Sequence, residues 1–237
     1  MDVVRIGWPV SNVWLLPSTD LGPVLVDTGI DLMWPQLLLG LRLRGLRPGD
    51  LGAVILTHHH TDHAGNAARL QRLGVPIYAH SLDAAVLSGR SCQPVIQLPG
   101  RRVPPRLERS ITSGMCLINN NHPAPRCEVH ALEHGDRVAG LDVHWVPGHT
   151  TGSVFLFHTP SGALFSGDGL LNSVPPMAQR RALTLPYPTF CEDHALALRS
   201  LAEFVDLGLP VRSLYAGHGR ARHGGILSGA AALLQRC

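Results

Sequence analysis

The stretch Ala53-Val54-Ile55-Leu56-Thr57-His58-His59-His60-Thr61-Asp62-His63 decides how the whole chain is read. Four apolar residues that stop abruptly at polar ones have the form of a short buried strand. The six residues from His58 to His63 then form an H-x-H-x-D-H pattern. With 14 His and 12 Asp in 237 residues, chance gives (14/237)³ × (12/237), on the order of one window in a hundred thousand. The spacing has a physical consequence. His58 and His60 lie two apart in extended chain, so both imidazoles project to one side. Asp62 and His63 fall where the chain turns into a helix, so they address a second point a few ångströms away. Imidazole and carboxylate suit Zn²⁺ and similar divalent ions, and one segment can serve two of them. His59, between two candidate ligands, is expected to point the other way and to play a supporting part.

The same unit, an apolar strand stopping at a metal-type residue, recurs along the chain. Leu141 to Val146 runs into Pro147-Gly148-His149, Ala163-Leu164-Phe165 into Ser166-Gly167-Asp168, and Leu214-Tyr215-Ala216 into Gly217-His218-Gly219. Val24-Leu25-Val26 runs into Asp27, a candidate to orient a metal-bound histidine by accepting its second N–H. Between these units lie helical patterns. Residues 31–46 place Leu32, Trp34, Leu38, Leu39 and Leu41 on one face. Residues 65–73 turn Ala67, Ala68 and Leu70 inward, and residues 194–207 do so with Leu196, Leu198, Leu201, Phe204 and Val205. Alternating strands and helices predict a layered α/β fold with its site at strand ends, where rigid strands carry freely varying loops.

Composition narrows the chemistry. A hydrophobic share of 45% over 237 residues supports a core without disulfides or a structural metal. The five cysteines are Cys92, Cys116, Cys127, Cys191 and Cys237; they form no C-x-x-C pair and are read as reduced thiols. All 20 basic residues are Arg, which excludes a Schiff-base lysine and a P-loop lysine. No G-x-S-x-G elbow is present. A formal charge of +3 is too small to imply nucleic-acid binding. No apolar run reaches membrane-spanning length and the N-terminus lacks a secretory pattern, so no nucleic-acid or membrane partner and a cytoplasmic location are expected. The oligomeric state is left open.

The motifs VLVDTG, THHHTDHAGN, PGHTTGS, LFSGDGLL and YAGHG, in this order from about residue 24 to 220, resemble the metallo-β-lactamase-fold hydrolase superfamily, and its glyoxalase II-like branch best. The resemblance implies a four-layer αββα sandwich, expected as one domain over 1–237 with a Pro/Arg-rich insertion at about 91–126. It implies His58, His60 and His149 at one metal and Asp62, His63 and His218 at the other. Asp168 would stand between the two, and Asp62 and Asp168 would act in catalysis. Two divalent ions are implied, Zn²⁺ first and Fe or Mn as alternatives. True β-lactamases usually lack an Asp at the position of Asp168, and flavodiiron oxidoreductases carry Glu where His60 stands. The β-CASP nucleases need an additional domain.

The expected activity is hydrolysis of a thioester, ester or lactone carbonyl by a metal-bridging hydroxide. A mononuclear iron oxidoreductase of the persulfide dioxygenase type, a phosphodiesterase of the same fold and a metal-holding scaffold are the alternatives. Glutathione thioesters are disfavoured as substrate by the absence of Lys. The substrate is expected to be a small molecule, and Arg101, Arg102, Arg106, Arg109, Arg180 and Arg181 are candidates for holding an anionic handle or for plain surface arginines. The insertion is a lid, a substrate wall or a connector.

Overall fold

The computed structural model of the protein describes residues 1–7, 10–91, 124–173 and 182–236. The six arginines that are candidates for an anionic handle, most of the 91–126 insertion, and Cys92, Cys116 and Cys237 lie outside these residues.

Two six-stranded sheets face each other. The first runs β1(Val4–Gly7), β2(Val13–Leu16), β3(Val24–Val26), β4(Ala53–Ile55), β5(Ile77–His80) and β6(His130–Leu132) in that spatial order. The second runs β12(Arg222–His223), β11(Ser213–Ala216), β10(Ala163–Gly167), β9(Val154–His158), β8(Leu141–Trp145) and β7(Arg137–Val138). Both are mixed. The pairs β3–β4, β4–β5, β5–β6 and β10–β11 are parallel, and the remaining ones antiparallel.

The period-2 alternation of each strand divides the apolar residues into three cores. Trp14, Leu16, Val24, Val26, Ala53 and Ile55 meet Leu141, Val143, Val154, Leu156 and Phe165 between the sheets. Their sequence neighbours Leu15, Leu25, Val54 and Ile77 face the helices α1(Trp34–Arg42) and α3(Ala67–Arg72) through Leu37, Leu41, Ala67 and Leu70. On the far side, Phe155, Phe157, Leu164 and Leu214 meet α5(His194–Asp206) and α6(Ile226–Leu234) through Leu201, Phe204, Ile226 and Ala230. Three cores between four layers make an αββα sandwich, the expected fold.

Two helical faces differ from expectation. Pro35 sits in the first turn of α1, a place where its missing N–H is harmless, and the residues before it, Asp31–Met33, form a separate 3₁₀ turn. The helix phase therefore places Leu37 and Leu41 inward and leaves Leu32 83% and Leu39 56% exposed. In α5 the buried seam is Ala197, Ser200, Leu201 and Phe204, with Leu196, Leu198 and Val205 at its margins. Small side chains lie there because the loop carrying His149 presses onto the helix. A side chain at Gly148, whose φ is +125°, would strike Ala197.

Candidate metal centre

The parallel strands β3, β4 and β5 all end at one edge of the first sheet, and β10 and β11 end against it in the second. Asp27 follows β3. His58 to His63 follow β4, with Asp62 and His63 in the short helix α2(Thr61–Ala64). The helix expected over 65–73 is α3, and α2 is a separate turn just before it. His149 follows β8, Asp168 follows β10 and His218 follows β11.

These loops bring all seven candidate residues together. The ligating atoms of His58, His60 and His149 lie within 4.8 Å of one another, as do those of His58, His63 and Asp168, and those of Asp62, His63 and His218. The three groups share His58 and His63, so they form one continuous cluster, with Asp168 against His63, His149 and His218. The rings of His58, His60 and His149 stand edge to face, with centroids 4.8, 4.7 and 4.7 Å apart, as a tripod. Asp168 Oδ2 lies 3.1 Å from His218 Nε2 and 3.7 Å from His149 Nε2; its Oδ1 lies 3.3 Å from His63 Nε2.

A consistent hydrogen-bond pattern aims the imidazoles. His63 Nδ1 donates to Asp27 Oδ2 at 2.8 Å and His218 Nδ1 to the Val10 carbonyl at 2.7 Å. His58 Nδ1 lies 3.1 Å from Thr57 Oγ1, whose own hydrogen goes to Asp27 Oδ2 at 2.9 Å. His149 Nδ1 faces Cys191 Sγ at 3.8 Å. With Nδ1 occupied, each Nε2 is turned towards the shared space. Asp27 thus orients His63 directly and His58 through Thr57, and it does so from a left-handed backbone, φ 62°, that Asp tolerates better than most residues.

The donor set fits a cation. His58 Nε2, His149 Nε2 and Asp62 Oδ1 are buried without a hydrogen-bond partner among the described residues. Each orphan of this kind costs about 1–3 kcal/mol, which a coordinated ion would offset. Without an ion the charges sort by neighbour. Burial pulls His63 and His218 down, but Asp62 and Asp168 overcome it, raising His63 well above its ordinary range and His218 to about 10. Asp168, despite burial, is held well below the usual carboxylate range by His218 and His63. His149 is pushed down to about 4, chiefly by burial. Burial and the neighbouring histidines likewise keep His58 and His60 neutral.

His59 points away from this space, as expected. Its ring lies between two carboxylates that the sequence did not single out: Asp83 Oδ1 at 3.1 Å and Glu192 Oε1 at 3.7 Å. Asp83 opens α4(Ser81–Leu87) just after β5. The strand-then-acid signal that marks the other loops was present in Ile77 to Asp83. Glu192 and Cys191 lie in a loop before α5, and no local pattern marks them.

A family model described as the metallo-beta-lactamase superfamily matches residues 6–218. An acyl-coenzyme A thioesterase, MBLAC2 of Gallus gallus, is 30% identical over 88% of the chain and 72% of its own length. A hydroxyacylglutathione hydrolase of Xanthomonas euvesicatoria pv. vesicatoria (strain 85-10) is 30% identical over 68% of the chain, which spans 46% of that protein. Among solved structures, TTHA1623 in a di-iron-bound form superposes with a TM-score of 0.63 at 28% identity, covering 96% of this chain and 97% of that one.

Proposed function

Because the chain belongs to the metallo-beta-lactamase superfamily, we propose that it is a dinuclear metal hydrolase acting on a thioester, ester or lactone carbonyl. The observation that carries this reading is the continuous cluster of seven donor residues, with Asp168 against His63, His149 and His218 and four imidazoles held by Nδ1 so that Nε2 faces inward. His58, His60 and His149 would hold one ion, Asp62, His63 and His218 the other, and Asp168 would contact both. When bound, such a pair of divalent ions supplies a water activated at neutral pH and an electrophile for the carbonyl oxygen.

The chain's own residues do the positioning. Asp168, which faces His63, His149 and His218, would set the spacing of the two ions. Asp62 leaves Oδ1 without a protein partner among the described residues, free to hold a proton of the attacking water. Its backbone carbonyl is tied to the Ser11 hydroxyl, which fixes the start of α2. Cys191 is not a nucleophile: burial pushes its thiol up to about 12, so it stays protonated beside His149. His218, the most exposed of the donors at 17% of its side chain, marks the open side. There Arg5 Nη1 donates to the Gly219 carbonyl at 3.5 Å, and the exposed Arg220 follows. Neither forms an ion pair with a carboxylate among the described residues. This positive rim supports an anionic substrate. The names of the thioesterase and of the hydroxyacylglutathione hydrolase support the thioester as first choice.

Elemental analysis of the purified protein, joined to a panel of thioesters, esters, lactones and phosphodiesters, tests this. About two metals per chain and turnover of a carbonyl substrate, lost in Asp168→Ala with the fold retained, are expected. A single iron with oxygen uptake, or full activity in Asp168→Ala, would overturn it.

A further inference from the structure

The Asp83 carboxylate, fully buried at the head of α4, accepts three hydrogen bonds from two separate ligand-bearing loops and faces the His59 imidazole. Oδ2 accepts the His59 backbone N–H at 2.7 Å and the Thr150 hydroxyl at 2.8 Å. Oδ1 accepts the Gly152 N–H at 2.9 Å and faces His59 Nδ1 at 3.1 Å. Glu192 closes the other side. Its Oε2 accepts the Thr151 N–H at 2.7 Å, its own N–H donates to the His149 carbonyl at 3.0 Å, and its Oε1 faces His59 Nε2. His59 is flanked by His58 and His60, and Thr150 by His149. Two carboxylates and one imidazole therefore lock the 58–60 segment to the 149–152 loop.

We propose that Asp83, His59 and Glu192 form a buried polar clamp that sets His149 against His58 and His60, making them positioning residues for that one metal position. The inference rests on the metal-centre reading under Proposed function. The clamp acts on one side of the cluster. Among the described residues no hydrogen bond or ion pair joins Asp83 or Glu192 to Asp62, His63 or His218; His63 is held by Asp27, His218 by the Val10 carbonyl and the Asp62 backbone by Ser11. A buried carboxylate that accepts three hydrogen bonds is strongly directional, because moving either loop strands a buried charge or a buried N–H. The backbone has little freedom to adapt, since a side chain at Gly152 would meet the Asp83 backbone nitrogen at 2.6 Å.

The test is zinc competition against a chromophoric chelator for the wild type, Thr150→Val, Glu192→Gln and Asp83→Asn, with thermal melting of each metal-free protein. Thr150→Val keeps the side-chain size and removes one clamp bond, so it serves even if Asp83→Asn fails to fold. Expected is a wild type that takes up two zincs, and variants in which one dissociation constant rises about ten- to a hundredfold while the other stays within about twofold. Unchanged constants, or both constants weakening together in step with the metal-free melting point, would overturn the clamp alone. A wild type that takes up no zinc would overturn the metal centre and the clamp with it.

Discussion

Replacing Asp27 by Asn removes a charge and almost nothing else. Asn has the same shape and accepts the left-handed φ of 62° as readily as Asp, so backbone strain is unchanged. Asp27 accepts the Thr57 N–H at 2.8 Å, the Thr57 hydroxyl at 2.9 Å and His63 Nδ1 at 2.8 Å. An amide has one oxygen where the carboxylate had two. If that oxygen stays on Thr57, the amide NH₂ meets the His63 Nδ1–H, donor against donor. The imidazole then relieves the clash by moving its proton to Nε2, and this removes the lone pair a metal needs. If the amide flips, the clash moves to the Thr57 N–H. Either way one charge-assisted bond is lost, about 1.5–3 kcal/mol. In the metal-free protein this lowers the melting point by several degrees, at about 2–4 °C per kcal/mol for a chain of this size. In metal binding the same loss corresponds to about ten- to a hundredfold, concentrated on the Asp62–His63–His218 position. Chelator competition on wild type and Asp27→Asn measures it. An Asn variant that holds both zincs within about twofold of the wild type would refute the reasoning, since His63 would then need no carboxylate behind it.

Stability of the metal-free protein should pass through a maximum near neutral pH. His218, raised to about 10, gives stability that is complete below about pH 6.5 and drains away as pH rises through about 10, while His149, lowered to about 4, removes stability as pH falls from about 6.5 to about 4. Thermal melts after chelation from pH 4 to 10 check this, and a flat profile would contradict it. Because His63 and His218 carry protons that coordination must displace, zinc uptake should release protons, and apparent affinity should climb with pH; calorimetry in buffers of different ionisation enthalpy counts them. Gly217→Ala places a new carbon 2.6 Å from His63 Cε1 and against Asp168. It should cut turnover by about a hundredfold or more, as misplacement of a reacting group by an ångström does, and an active Ala variant would show that the pocket is slack. Arg220→Gln should raise KM for anionic substrates several-fold while leaving neutral ones unchanged, and equal effects on both would remove the rim from substrate recognition.

Much of this site was legible in one dimension because it is built at the ends of short apolar strands. A buried strand that stops at His or Asp leaves a local signature, and the interval between two histidines fixes the side on which they lie. Asp27, marked as an orienter of some histidine, falls under the same rule; which histidine it would serve was not written in the spacing. The helix faces were less legible. Pro35 shifted the phase of α1 and left Leu32 and Leu39 outside, and a close backbone approach at Gly148 put Ala197 and Ser200 in the seam of α5 instead of its leucines.

The chain's sequence by itself determined the layering, through strand and helix periodicity, and the identity of the metal-type residues, through their recurrence at strand ends. Only the tertiary structure decided which of them share a pocket and which partner stands behind each imidazole. It alone showed that Asp83 and Glu192 enclose His59. Periodicity is a property of neighbours along the chain, whereas hydrogen bonds between residues 27 and 63, 83 and 150, or 10 and 218 depend on how the two sheets close on each other.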